Sequence, residues 1–157
     1  MNNIREAKIE DIDMILELLK QVNKVHYDLR PDLFKLTTKY SKEELMNIIL
    51  NDKTKKIYVY EENNKVIGHI FIEFEIYENN QLLTDHKTIH IDDLCVDKDN
   101  YHKGIGKSLY LFIKEYAKRN NYNNITLNVW DKNEAYEFYK KLGLKIQKTT
   151  LEEIITD

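Results

Sequence analysis

Tyr101-His102-Lys103-Gly104-Ile105-Gly106-Lys107-Ser108 follows the strand-like run Ile89 to Val96 and opens a helical pattern. In that pattern Ile105, Leu109, Phe112, Ile113, Tyr116 and Ala117 recur at three- and four-residue spacing. A strand, a short basic turn and a helix start make a seat for a phosphate. Gly104 and Gly106 lack Cβ atoms, so the backbone there can approach a ligand and adopt positive φ. The unpaired N–H groups of a first helical turn favour an anion, with the helix dipole behind them. His102, Lys103 and Lys107 add donors and positive charge, and two of the four glycines of the chain lie in this turn.

Spacing narrows the ligand. A Walker A loop needs glycine five residues before Gly106-Lys107-Ser108, where Tyr101 stands. A dinucleotide fingerprint needs a third glycine at the position of Leu109, and an acidic residue closing a second strand about 20 residues on.

The rest of the chain sets the frame. Its 157 residues make one domain, 1–157, long enough to bury a core. Charged residues are 32% and hydrophobic ones 42%, as in ordinary globular proteins. A net charge of −3 gives no electrostatic reason to expect a nucleic acid partner. The single cysteine, Cys95, excludes an internal disulfide and a cysteine metal cluster. The histidines at 26, 69, 86, 90 and 102 show no ligand spacing, so no metal is expected. No apolar run approaches the ~20 residues that span a bilayer, and the N-terminus has no signal-peptide core. The expectation is a cytoplasmic protein with no membrane partner.

A short strand near Ile4 precedes a helix with Ile12, Ile15, Leu16, Leu19 and Val22 on one face, which Pro31 ends. Ser41 and Glu44 form a capping box for a second helix. Strands follow at 56–61 and 66–77, joined by a tight turn at Glu62-Asn63-Asn64-Lys65. Strand 89–96, helix 104–120, strand 125–129, helix 132–141 and a last strand 145–152 complete the order βααβββαβαβ. The predicted class is α/β (α+β), a mixed sheet with helices on both faces.

The last helix carries Asn133-Glu134-Ala135-Tyr136-Glu137-Phe138-Tyr139-Lys140-Lys141-Leu142-Gly143-Leu144. Asp131 and Glu134 stand in capping-box relation, Ala135, Phe138, Tyr139 and Leu142 share a face, and Gly143 stops the helix. Together the two stretches resemble the GNAT acetyltransferase superfamily. The turn is similar to its motif A, Gln/Arg-x-x-Gly-x-Gly/Ala, with Tyr101 at the Gln/Arg position. The second stretch is similar to Asn-x-x-Ala-x-x-Phe-Tyr-x-x-Leu-Gly-Phe, with Leu144 for the last residue. The element order resembles the same fold over essentially the whole chain.

The resemblance implies acetyl-coenzyme A as cosubstrate, its pyrophosphate on the His102–Ser108 turn, including Ile105, and Asn133 on the coenzyme A chain. It implies that Tyr139 protonates the departing thiolate. A backbone N–H near Val96 would meet the oxyanion, with Leu94 and Cys95 beside the pantetheine arm. Dimerisation is common in such folds, so a homodimer is possible, although no interface is legible in the sequence.

The implied reaction moves an acetyl group to a primary amine, which attacks only when neutral, yet has a pKa near ~10. The site must bind a cation and remove a proton. Glu73 and Glu75 share one face of their strand. They fit either a solvated face or acceptor contacts. In regular alternation His90, Asp92, Leu94 and Val96 share one face of the next strand, and Ile89, Ile91, Asp93 and Cys95 the other. The family places a base near the middle of this strand, which leaves Asp92 and Asp93 open, since a bulge would shift the alternation. His90 fits a structural or an acceptor role, and Cys95 a packing role. The segment from His26 and Tyr27 to Phe34 is expected at one wall of the acceptor pocket, and the loop after Tyr77 at another. A small-molecule amine leads; a protein lysine or N-terminus and a non-catalytic acyl-CoA-binding module are the alternatives.

Overall fold

Residues 3–156 are described in the computed structural model; Met1, Asn2 and Asp157, the ends of the expected domain, lie outside them. In chain order the elements are β1 (Ile4–Glu6), α1 (Ile12–Leu29), α2 (Lys42–Leu50), β2 (Lys55–Glu62), β3 (Lys65–Tyr77) and β4 (His86–Val96). There follow α3 (Ile105–Arg119), β5 (Asn124–Leu127) and α4 (Ala135–Lys141).

Local chemistry explains most boundaries. Asn63 and Asn64 sit at φ 51° and 60°. Positive φ at both central residues is what a primed two-residue turn requires, and asparagine tolerates it. At α2 the Ser41 hydroxyl accepts from Glu44 N–H at 3.1 Å, and the Glu44 carboxylate accepts from Ser41 N–H at 3.0 Å. Pro31 follows directly on the end of α1 at Leu29 and Arg30.

The strands lie in the order β1-β2-β3-β4-β5. The first three pairings are antiparallel and β4–β5 is parallel. One face buries Ile15, Leu18 and Leu19 of α1 and Leu45 of α2 against Ile57, Val59 and Phe71. The opposite face packs Ile105, Leu109 and Ile113 of α3 on Ile70, Ile72, Ile89 and Ile91. Each fully buried side chain of this size contributes roughly 1.5–3 kcal/mol, so the sheet is held from both sides.

Two irregularities shape what lies between these layers. Phe71 pairs with Asp93 and Ile72 with Ile91, which leaves Asp92 as the extra residue of a β-bulge. The bulge corrects the regular alternation expected for β4. Ile89, Ile91, Leu94 and Val96 all belong to the α3-side core, whereas Cys95 belongs to the α1 side. Asp92 and Asp93 therefore both face α1 and α2. The second irregularity is a splay: β5 pairs with β4 only from Thr88 to Ile91, while β4 continues to Val96.

The C-terminal third departs from expectation in two places. Helix α4 begins at Ala135 rather than 132, because Lys132 sits at φ 67°, outside helical geometry. Asn133 Oδ1, not an Asp131–Glu134 box, accepts from Ala135 N–H at 2.9 Å. The strand expected at 145–152 is absent, since residues 145–156 pair with no other strand among the described residues. Ile146 and Leu151, two large apolar side chains of that segment, are 68% and 90% exposed.

Candidate active site

The turn before α3 is an amide cradle. His102 and Gly104 adopt φ 66° and 78°, and Gly104 is the N-cap, with no side chain capping the helix. No acidic residue stands in the first turn, so its positive end is uncompensated. A Cβ on Gly104 would meet nothing within 4 Å, whereas one on Gly106 would stand 3.2 Å from the Phe138 ring. Gly104 thus serves the turn, and Gly106 serves the contact between α3 and α4. Lys103 reaches back to Asn100 Oδ1 at 2.9 Å, while His102, Lys107 and Ser108 are exposed at the rim. Tyr101, in the Gln/Arg position of the motif, is exposed too.

The splay extends the cradle inward. Asp97 N–H bonds Ile67 O on β3 at 2.8 Å. Successive N–H groups along a strand point to opposite edges, so those of Val96 and Leu94 point away from β3, toward the gap that β5 has left. Cys95 alternates with them; its thiol donates to Leu18 O at 3.2 Å and burial pushes its pKa well up. Its side chain is packing, and its backbone polar groups face β3 rather than the gap.

The acidic groups meet on the α1/α2 side. Asp92 accepts from Lys39 Nζ at 2.7 Å and from the Tyr40 hydroxyl at 2.5 Å. Burial raises the Asp92 carboxyl, but these two bonds outweigh it and hold the group below its ordinary range. The Tyr40 ring stacks on Phe71 with centroids 5.5 Å apart, and burial, then Asp92, push its phenol up. Asp93, its side chain 8% exposed, binds Nε2 of the fully buried His69 at 2.5 Å. The other ring nitrogen, Nδ1, is the one buried side-chain polar atom without a partner among the described residues. Burial also raises the Tyr139 phenol, and the charges of Asp93 and Cys95 nearby add to it.

An aromatic wall faces this cluster. His26 packs on Phe34 at 5.2 Å, Phe34 meets Trp130 edge-on at 5.4 Å, and the Arg30 guanidinium lies 5.9 Å over Trp130. Burial lowers the His26 pKa, and Asp93 opposes that shift. Beyond Tyr40 a groove is lined by Glu43, Glu44, Asp52 and Lys55.

Most residues named from the sequence converge here. Asp93 lies close enough to Tyr139 and Cys95 for its charge to raise both, and Asp92 is one residue along. Glu73 is close enough to act on Tyr40. His90 is its register partner on β4 and bonds Thr126 Oγ1 at 2.9 Å, which makes it part of a cross-strand row. Glu75 pairs one step further out with Thr88, away from the cluster. Tyr27 is half-buried near the end of α1. Asn133 spends its carbonyl on the start of α4 and keeps its amide NH2 free of a hydrogen bond among the described residues. Lys39, Tyr40 and His69 were not singled out from the sequence. Only the number of unassigned polar residues flanking the strands hinted at them.

The site therefore has two sides, an uncapped helix start beside a strand gap on one and a cluster of acidic and aromatic side chains on the other. Comparisons with known proteins give the family and the fold. The model of the acetyltransferase (GNAT) domain matches residues 25–153, and the chain belongs to that family. A mutant of the BH1408 protein from Bacillus halodurans is 28% identical, with a TM-score of 0.92 over 98% of this chain and 99% of that one. The glucosamine-6-phosphate N-acetyltransferase of Arabidopsis thaliana is 22% identical, with a TM-score of 0.70 over 98% and 97% of the two chains. An aminoglycoside acetyltransferase from an uncultured soil metagenomic sample, in complex with sisomicin, is 16% identical, with a TM-score of 0.69 over 98% and 94%. The last two share the fold. Acetyl-coenzyme A is the cosubstrate of the family, and the uncapped start of α3, with no acidic residue in its first turn, fits the charge of its pyrophosphate. No helix among the described residues is long and apolar enough to cross a membrane.

Proposed function

We propose that this protein transfers the acetyl group of acetyl-coenzyme A to a primary amine on a small cationic molecule, by direct attack with both substrates bound. The observation that carries the reading is a buried, half-answered Asp93 on the β4 bulge, bound to His69 and close enough for its charge to raise the Tyr139 phenol. Acetyl-coenzyme A supplies the activated acyl group. The chain supplies the rest.

The amides at the start of α3 hold the pyrophosphate, with His102, Lys103, Lys107 and Ser108 around it, and the Asn133 amide donates to the pantetheine arm. The Val96 N–H, pointing into the gap, stabilises the oxyanion as an amide donor fixed in advance. Asp92 is already engaged by Lys39 and Tyr40; it supplies negative potential for the ammonium. Asp93 has one oxygen on His69 and the other without a protein donor among the described residues. It accepts the ammonium proton, directly or through water. Tyr139, its phenol held protonated by burial and by the negative charge of Asp93, protonates the leaving thiolate. No metal enters this scheme.

Acidic groups at Asp92, Asp93 and Glu73, with the aromatic wall opposite, suit a cation carrying an apolar or sugar-like body. The names of two neighbours, an amino-sugar phosphate acetyltransferase and an aminoglycoside acetyltransferase, support that class. A single, buried, unpaired cysteine, with no helix among the described residues long and apolar enough to span a bilayer, supports a place in the cytoplasm.

Thiol release from acetyl-coenzyme A, measured against polyamines, amino sugars, aminoglycosides, amino acids and lysine peptides, tests the reading. Stimulation by a small amine is expected. Stimulation by peptides alone favours a protein acetyltransferase. Binding of acetyl-coenzyme A with no stimulation favours a binding module. With a productive amine, Tyr139→Phe lowers kcat about 100-fold and leaves acetyl-coenzyme A affinity unchanged; an unchanged kcat removes Tyr139 from the mechanism.

A further inference from the structure

Four polar or charged residues are buried among the described ones: Asp11, His69, Thr88 and Asp97. Three of them stitch elements of the fold together. Asp11 binds Arg5, His69 binds Asp93, and Thr88 binds Asn124. The fourth, Asp97, is 8% exposed, follows Val96 at the end of β4 and opens the loop that leads to the start of α3. A negative charge is unexpected there on electrostatic grounds, because that loop ends in the basic turn read as the seat of a pyrophosphate.

The bonds of Asp97 account for its place. Gln21 of α1, 76 residues earlier, donates from Nε2 to Asp97 Oδ1 at 2.8 Å, and its own carbonyl accepts from Lys98 N–H at 3.0 Å. Asn100 donates from Nδ2 to Asp97 Oδ2 at 3.0 Å, and its backbone N–H donates to Asp97 O at 2.8 Å. The Asn100 side-chain carbonyl accepts in turn from Lys103 Nζ at 2.9 Å. A continuous run of hydrogen bonds therefore reaches from α1 to the residue before Gly104. Lys103 has three N–H donors and Asn100 takes one, which leaves the others for an anion. Tyr101, where the motif has Gln or Arg, offers neither a cation nor an amide.

We propose that Asp97 and Gln21 are positioning residues for coenzyme A: through Asn100 they hold the cradle loop and Lys103 in the arrangement that receives the pyrophosphate. A loop fixed beforehand does not have to be ordered at the moment of binding. Both Asp97 oxygens accept from side-chain amides, and only a carboxylate offers an acceptor on each side. An amide at this position would turn its own NH2 on Gln21 or Asn100. This role rests on the turn before α3 being the seat of the pyrophosphate and is independent of the acceptor and of the proton transfers.

Calorimetric titration of coenzyme A into the parent and into Asp97→Asn is the test. Positioning predicts a Kd raised about tenfold, as expected for one lost hydrogen bond to a charged group. Electrostatics alone predicts the opposite sign, since the variant removes a negative charge near the seat. An equal or tighter Kd therefore overturns the role. Pantetheine, which has no pyrophosphate, should bind parent and variant within twofold; an equal loss for both ligands would make Asp97 a folding residue only. If Asp97→Asn does not fold, the less buried Gln21→Met and Asn100→Ala take its place. Each should weaken coenzyme A and spare pantetheine, and an unchanged Kd for both variants overturns the role. A parent that binds coenzyme A no better than pantetheine overturns the seat itself, and the positioning role with it.

Discussion

Asp11 and Asp93 are the same residue at the same side-chain exposure, 8%, in two regions of one sheet protein. Asp11 lies just before α1 and is fully answered: Arg5 donates to both oxygens at 2.8 and 3.1 Å, and Lys8 N–H adds a bond of 2.7 Å. Asp93, beside the β4 bulge, has one donor, His69, which is itself left with an unpartnered nitrogen. Burial raises the Asp11 carboxyl, but Arg5 and Lys8 outweigh it and hold the group below its ordinary range. A buried charge with all its partners anchors the end of β1 to the start of α1. A buried carboxyl with too few partners is held in place by the rest of the fold, and it is the group to which we assign the proton transfer.

Substitutions break this comparison most sharply at the satisfied site. Asp11→Ala strands the Arg5 guanidinium beside Glu61 alone and should cost about 3 kcal/mol of stability, read from urea unfolding, while kcat stays within twofold. Because folding lowers the Asp11 pKa, its contribution is complete above the unfolded value of ~3.9 and is lost as pH falls through the lower folded value. Asp11→Ala should therefore lack part of the acid destabilisation seen in the parent below about pH 4.

A smaller effect is expected at the support of the unsatisfied site. His69→Leu should lower kcat about tenfold by freeing the Asp93 carboxylate to rotate, with KM for the amine little changed. His69→Gln, which keeps a donor, should recover most of the rate; equal rates for both would reduce His69 to packing. The smallest effect belongs to the cradle. Gly104→Ala meets no steric neighbour but must hold φ 78°, so a loss of about 1 kcal/mol with a raised KM for acetyl-coenzyme A is expected by thermal melting and steady-state kinetics.

What was legible in the sequence was local. The Asn63-Asn64 turn, the Ser41–Glu44 box, the stop at Gly143 and the turn at Gly104 depend on residues within a few positions of one another, and the structure has each. The bulge at Asp92 was not legible, because it is a mismatch between two strands and neither strand encodes it alone. The partners Tyr40 and His69 lie 52 and 24 residues from Asp92 and Asp93, so only the folded sheet brings them together. Gly106 reads as a ligand glycine by position, yet its missing Cβ makes room for Phe138. Residues 145–152 have the composition of a strand, and no strand of the chain pairs with them among the described residues.

The most direct test sets Asp93→Asn against the parent in two measurements on the same samples, thiol release at saturating acetyl-coenzyme A and amine, and thermal melting. The account predicts a kcat at least 100-fold lower, about 2.7 kcal/mol in activation free energy, at an unchanged or higher melting temperature. A kcat within twofold of the parent, or a loss of activity that merely tracks a loss of folding, would contradict it.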